Sequence, residues 1–371
     1  MGLRSLPLLT ALLAILPLGA QPTSSQTSVY TYDSNGRRVP SGTYSMTGGP
    51  MGSERLETTR SINGRTVPAQ TSQDKVISQT RNTKVTERTV TNYDANGRPA
   101  GVERIRIEET KRADGGSSIV ATTYRSDING SQRLAERTST EVRKSGSAET
   151  AVTSIERPAA NGSLEIVEKK NAVTEKMGDN SKVESTVYRK DVNGGMYTAL
   201  SEVSTTTKSG NVEATDTAQY VRGPDGNMEL DKRIVGKTTS QPNGGQVEQI
   251  EVYAKTTASN VGDINARQPR LQQEIVRESV PGPNNTIVET TSIRARAVND
   301  PSRFTDYEKT KQVIQQSQNA AGMQVTNQRT VVERRDVNGN LIVEKEVVRN
   351  SVAPMPVTPP QPQAAAPAPK K

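Results

Sequence analysis

The chain has no cysteine, no histidine and no tryptophan, and a single phenylalanine, Phe304, in 371 residues. Without cysteine there is no disulfide staple, no thiolate–metal site and no thioether-linked lipid anchor. Without histidine the usual proton shuttle and the commonest metal ligand are missing, and a Ser-His-Asp triad cannot be assembled. No Gly-x-Ser-x-Gly elbow, phosphate-binding loop or dinucleotide fingerprint is present either. The expectation is a protein that is not an enzyme and uses no cofactor and no metal.

Large apolar side chains are also scarce. Apolar residues make up 31% of the chain, and even with its 28 glycines it falls below the roughly 45–50% of an ordinary soluble domain. Stability must then come mainly from backbone hydrogen-bond ladders and modest Val, Ile and Leu burial. Excess charge of one sign is lacking too, since 48 basic residues oppose 40 acidic ones. Lys169-Lys170 and Arg334-Arg335 are isolated pairs with Glu nearby, so no nucleic-acid partner is expected.

What the chain has in abundance is turns at a fixed interval. Gly97, Gly130, Gly162, Gly194 and Gly226 follow one another at steps of 33, 32, 32 and 32 residues; Gly115, Gly146, Gly178 and Gly210 fall between them and Gly244 follows. The series of turn-forming repeat positions starts at Gly36 and Gly64, blurs between Asn260 and Ala321, and returns at Gly339. A fixed period indicates a repeat architecture. Between turns the pattern alternates, as in Ile105 and Ile107 among Arg104, Arg106 and Glu108, and period two indicates half-buried strands. Asn-Gly supplies positive φ at both central positions of a two-residue turn.

The predicted fold is therefore all-β: a long antiparallel meander of hairpin repeats, with a strand-turn unit of about 16 residues and a double unit of about 32, forming an extended twisted or rolled sheet. A rolled shell, a single-layer ribbon and a solenoid share this punctuation. Residues 306–319 read as a strand because Gly322 and Gly339 restore the spacing.

Tyr32-Asp33-Ser34-Asn35-Gly36-Arg37 and Tyr93-Asp94-Ala95-Asn96-Gly97-Arg98 resemble the Tyr-Asp-x-x-Gly-Arg signature of YD repeats, the modules of Rhs-like secreted β-repeat proteins. Fragments persist at Asp127 to Gly130, Asp191 to Gly194 and Asp336 to Gly339. The resemblance implies a spiralling extracellular sheet with carbohydrate contact. A calcium reading of the Asp-x-Asn-Gly loops fails, because an EF-hand needs Gly at loop position six and these loops place it at four.

Residues 1–20 read as a signal peptide: a basic Arg4, an apolar run from Leu6 to Leu18 and small residues before Gln21. The remainder divides into a looser N-terminal region with the first repeats (21–73), the hairpin array (74–350) and a Pro/Ala-rich disordered tail (351–371). The expected location is secreted or periplasmic, with no integral membrane segment after leader cleavage. An outer-membrane barrel is set aside at this level, because Glu202 to Lys208 holds only one large apolar residue, Val203, and cannot contribute to a lipid-facing band.

The function expected from sequence is a structural or adhesive role at the cell envelope or outside the cell, with self-association through exposed sheet edges. The alternative is a module that binds envelope or extracellular polysaccharide on one sheet face, with Tyr124, Tyr188, Tyr220 and Tyr253 at equivalent repeat positions as the ligand face.

Overall fold

The computed structural model describes residues 24–33, 35–48, 54–127, 130–255, 269–296, 303–336 and 338–353. The segment read as a signal peptide (1–20) and residues 354–371 of the Pro/Ala-rich tail lie outside the described residues.

Among the described residues every regular element is a strand. In chain order they are β1 (Ser24–Tyr32), β2 (Arg38–Gly48), β3 (Glu54–Ile62), β4 (Arg65–Gln79), β5 (Thr83–Tyr93), β6 (Pro99–Lys111) and β7 (Ser117–Ser126). Next come β8 (Gln132–Ser145), β9 (Ala148–Pro158), β10 (Leu164–Met177), β11 (Asn180–Lys190), β12 (Met196–Ser209), β13 (Val212–Arg222) and β14 (Met228–Ser240). The last are β15 (Gln246–Ala254), β16 (Arg270–Gly282), β17 (Thr286–Arg296), β18 (Phe304–Gln318), β19 (Gln324–Arg335) and β20 (Leu341–Ala353). Residues 24–73, within the region 21–73 set apart in the sequence as looser, carry β1 to β3 and the first part of β4 of the same sheet.

Each strand pairs antiparallel with its neighbours in sequence, and β1 also pairs antiparallel with β20 from Ser24↔Val352 to Thr31↔Lys345. The meander therefore closes into a 20-stranded barrel, which corrects the expectation of an extended twisted or rolled sheet. Closure joins the two strands that would have been free edges. Self-association through those edges is overturned for the same reason, since an edge already paired offers no ladder to a second chain. The YD-repeat reading goes too: its sheet spirals open, whereas this one returns to its first strand.

The two rims differ. β1 begins and β20 ends at the near rim, and all odd-to-even connections lie at the far rim. There the Asp-x-Asn-Gly segments form three-residue loops, not the two-residue turns expected. In the second of them the Gly97 amide donates to the Asp94 carbonyl (3.1 Å) and the Asp94 amide donates to the Arg98 carbonyl (2.8 Å). Gly97 has φ +77°, while Asn96 is not among the residues with positive φ. This is a type I turn followed by a left-handed residue, which strongly favours glycine. The Asp94 carboxylate accepts from the Asn96 and Arg98 amides, both at 2.8 Å. Asp33, Asp191 and Asp336 repeat the device. Among the described residues only Asn63-Gly64, with φ +50° and +77°, is the doubly left-handed Asn-Gly turn. At the near rim Gly146-Ser147, Gly178-Asp179 and Gly210-Asn211 make two-residue turns with positive φ at glycine only, whereas Arg112–Gly116, Gln241–Gly245 and Asn319–Met323 close three-residue loops like those of the far rim.

A second difference explains closure. All ten odd-to-even hairpins contain a β-bulge near the far rim, the unpaired residues being Ser41, Ala69, Ala100, Ala135, Val167, Ala199, Asp231, Gln272, Tyr307 and Glu344. The even-to-odd hairpins contain one, at Ile77. Each bulge bends its strand and adds right-handed twist, so ten in register curl the sheet until its ends meet.

Candidate functional site: the barrel lumen

Side chains alternate between two walls, and the cross-strand register assigns them. Val29 lies opposite Val347, which lies opposite Thr330. Thr86, Ser185 and Val187 fall on the same wall when the register is followed around the sheet. Val29, Thr86, Ser185, Val187 and Thr330, with Glu346, are the buried side chains among the described residues. Burial concentrated on one wall marks it as the concave, inner one, where neighbouring side chains converge. Val29 and Val187 are its only buried apolar side chains among the described residues, both 9% exposed, so the interior is not packed with side chains. Barrels of eight strands fill their interiors, whereas 16 to 18 strands already leave an aqueous channel.

The inner wall carries a repeated set of ion pairs toward the far rim. Arg125 meets Glu103 at 2.8 Å, and Arg157 with Glu136 and Arg189 with Glu168 pair at 2.9 Å. Arg334 pairs with Glu308 at 2.9 Å at the same level, and midway along the wall Arg88 grips Asp74 with two 2.7 Å hydrogen bonds. The Arg125, Arg157 and Arg189 spacing is the 32-residue double unit seen from inside. The outer wall is charged as well, with Arg106–Glu108 (2.8 Å), Lys182–Glu184 (2.6 Å) and Arg233–Asp216 (2.6 Å).

The seam has its own cluster. Glu346 of β20 faces the outer wall, yet its side chain is only 4% exposed. It accepts from Arg38 of β2 and Arg329 of β19, both at 2.8 Å, and from the Tyr32 hydroxyl of β1 at 3.1 Å. The Arg38 guanidinium lies 3.5 Å from the centre of the Tyr30 ring. One carboxylate thus ties together the four strands around the closure. Burial pushes the Glu346 carboxyl up, but the hydrogen bonds from Arg329 and Tyr32 and the charges of Arg38 and Arg329 outweigh it and hold it below the ordinary value. Burial, then the bond to Glu346, raises the Tyr32 hydroxyl. No sequence pattern announced this cluster.

The turn positions Gly36, Gly64, Gly97, Gly130, Gly162, Gly194, Gly226 and Gly339 all lie at the far rim with positive φ. Tyr124, Tyr188, Tyr220 and Tyr253 lie on the outer wall below that rim, opposite Leu134, Thr198, Leu230 and Leu271. They sit on β7, β11, β13 and β15, so consecutive rings are at least two strand spacings apart, roughly 10 Å, on a convex surface. Tyr220 and Leu230 border a shallow open hollow of about 380 Å³, with Asp216 and Arg233 at its side. Among the described residues no group of three or more Asp or Glu could hold a metal ion.

No known protein family matches the sequence, and no curated protein matches it. Solved structures do show likeness. The outer membrane protein OpdK from Pseudomonas aeruginosa is similar at TM-score 0.46 and 6% identity, over 89% of this chain and 97% of that one. OccK5 (OpdH) of the same organism gives 0.47 and 9% identity over 90% and 97%. A BenF-like porin from Pseudomonas fluorescens Pf-5 gives 0.45 and 10% over 90% and 97%.

Several expectations are corrected by the closed barrel. The structural or adhesive role assumed a long open surface, and the polysaccharide alternative assumed one flat tyrosine-bearing face; the wall is convex and the rings diverge around it. The secreted or periplasmic assignment, with no integral membrane segment, rested on the lack of a spanning helix and on rejecting a barrel. No helix among the described residues could cross a membrane, but that says nothing of a chain that crosses with strands, and the closed sheet restores the barrel that had been set aside.

Proposed function

We propose that the chain is a channel-type tube whose polar, charge-lined lumen passes hydrophilic solutes between its two open rims. The observation that carries this reading is the β1–β20 pairing, which converts a sheet into a conduit. The ion pairs along the inner wall favour water and polar solutes over a packed core. No reaction is assigned to it. Reconstitution into a planar bilayer tests the reading: stepwise conductance is expected, and its absence from protein that retains a β-rich far-UV spectrum would refute bilayer channel activity.

A second reading is favoured by the outer wall. A barrel sits in lipid through an outward apolar band, and Arg or Lys at mid-bilayer costs about 2–4 kcal/mol each. Here the outer wall displays Arg104, Arg106, Arg137, Lys182, Arg233 and Lys309. On this reading the tube conducts solute while both walls are wetted. Flotation with liposomes separates the two: co-flotation with conductance supports the first, while solute entry into protein that stays with the soluble fraction supports the second.

A further inference from the structure

The inner wall is not uniform around its circumference. Across β14 to β17 the register brings Ile250, Ile275 and Ile293 into one cross-strand row. In the adjoining row Ile234 lies opposite Val252. Five aliphatic side chains thus form one contiguous patch, and all five are half-buried, leaving apolar surface open to the lumen. Elsewhere on this wall Ile105, Ile107 and Ile119 are interrupted by Arg88, Glu103 and Glu109.

Three features shape the patch. Gly236 lies between Ile234 and Thr238 on the strand and opposite Ile250, so the wall has a dent there; a Cβ at Gly236 would find its nearest atoms at 3.9 Å, on Thr215. Ala254 and Ala295 keep the far-rim side low. Lys232 stands at that border, two residues along β14 from Ile234, and makes no ion pair with any described residue. At the corresponding level of β7, β9 and β11, Arg125, Arg157 and Arg189 are each neutralised by a glutamate. The patch spans three inter-strand steps of roughly 4.8 Å. An apolar strip of that length, with a dent at its β14 end and one unneutralised cation at its edge, is complementary to an alkyl chain ending in an anionic head.

We propose that the lumen wall of β14 to β17 binds an anionic amphiphile, with the alkyl chain laid across Ile234, Ile250, Ile275 and Ile293 over the Gly236 dent and the head group paired with Lys232. This rests on the reading of the barrel as an open tube and names one class of molecule that the tube takes up. An alkyl chain gains from leaving water along the aliphatic strip, and a head group paired with Lys232 inside a partly enclosed lumen is screened less than at an open surface.

Calorimetric titration of the full chain with decanesulfonate below its micelle concentration tests the proposal, with decanol and butanesulfonate as comparisons. Saturable binding at one site is expected for decanesulfonate, and none for butanesulfonate. Lys232→Gln should weaken decanesulfonate at least tenfold and leave decanol unchanged. Gly236→Leu, which has room to fold because its nearest neighbour is at ordinary contact distance, should weaken both. Equal decanesulfonate affinity in the parent and both variants, or no saturable binding, would overturn the site. The native chain has no cysteine, so a Thr140→Cys variant on the inner wall, away from the patch, reports access to the lumen through maleimide labelling of the folded protein. Labelling without amphiphile binding removes the site and leaves the tube; failure to label removes both.

Discussion

The far rim and the near rim are joined by the same strands but are built differently. Far-rim hairpins all have a bulge a few residues inside, and those at Asp94 and Asp191 turn in three-residue loops whose aspartate accepts backbone amides. Near-rim hairpins turn either in two residues, as at Gly178-Asp179 and Gly210-Asn211, or in three, as at Gly115 and Gly244, and apart from Ile77 pair without interruption. The contrast teaches that curvature enters the sheet from one side: extra residues at the far rim bend alternate strands, while the near rim returns the chain. Both devices recur every 32 residues, which is why the period is so regular.

Deleting a bulge residue should break this contrast most strongly. Without Ala199 the far-rim part of β12 slips by one position against β11, and Met196 to Thr198 exchange walls. The expected loss exceeds about 3 kcal/mol, among the large single-site effects, whereas lengthening the Gly210-Asn211 turn by one glycine should cost under about 1 kcal/mol. Urea unfolding of the two variants checks the ordering, and equal losses would remove the special role of the bulged rim.

The seam sharpens the comparison, because its closure depends on side chains and not on a turn. Replacing Arg38 and Arg329 by Met leaves Glu346 buried with only the Tyr32 hydroxyl, at an expected cost of about 3 kcal/mol, the low end for an uncompensated buried charge. Glu346→Gln should cost less, since the arginines it frees are 44% and 65% exposed and can be hydrated. Because the Glu346 carboxyl is held below its ordinary value, its contribution is present above about pH 4.3 and is lost as the pH falls through the folded-state value. In Glu346→Gln that acid-side loss should shrink.

A smaller effect is expected from Gly194→Ala, which forces a β-carbon onto a residue at φ +87° and should cost about 1–2 kcal/mol. Gly236→Ala, in ordinary strand geometry, should be near neutral by thermal melting. The mildest prediction concerns Asp94. The Arg98 amide, then the Asn96 amide, holds its carboxyl below the ordinary value against some desolvation. Protonation as the pH falls below about 3.9 should speed exchange of the Asn96 and Arg98 amides without unfolding the barrel, and a rate independent of pH-induced protonation would remove the capping role.

Much of the strand order was legible because glycine and asparagine mark reversals locally. The spacing from Gly322 to Gly339 placed a strand before it, and the structure has β18 at Phe304–Gln318. Turn type was misread where Asn-Gly outweighed the Asp three residues before the glycine, although that Asp is the residue the three-residue loop uses. Closure was illegible because Val29 and Val347 meet only after the whole chain is laid down, and no local signal separates a closed meander from an open one. Bulges were hidden because Ala100, Ala135 and Ala199 look like ordinary strand residues. The lumen patch escaped notice because alternation sorts side chains into two walls without saying which is concave, and Ile250, Ile275 and Ile293 align only through register across three strands.

Closure is tested most directly by a disulfide across the seam in a Val29→Cys, Val347→Cys double variant, with Ile105→Cys, Thr123→Cys across β6 and β7 as the reference pair. A closed barrel predicts that both pairs oxidise to similar extents, the seam pair giving a looped chain of faster mobility under denaturing, non-reducing electrophoresis. Oxidation of the reference pair alone would contradict closure and return the chain to an open sheet.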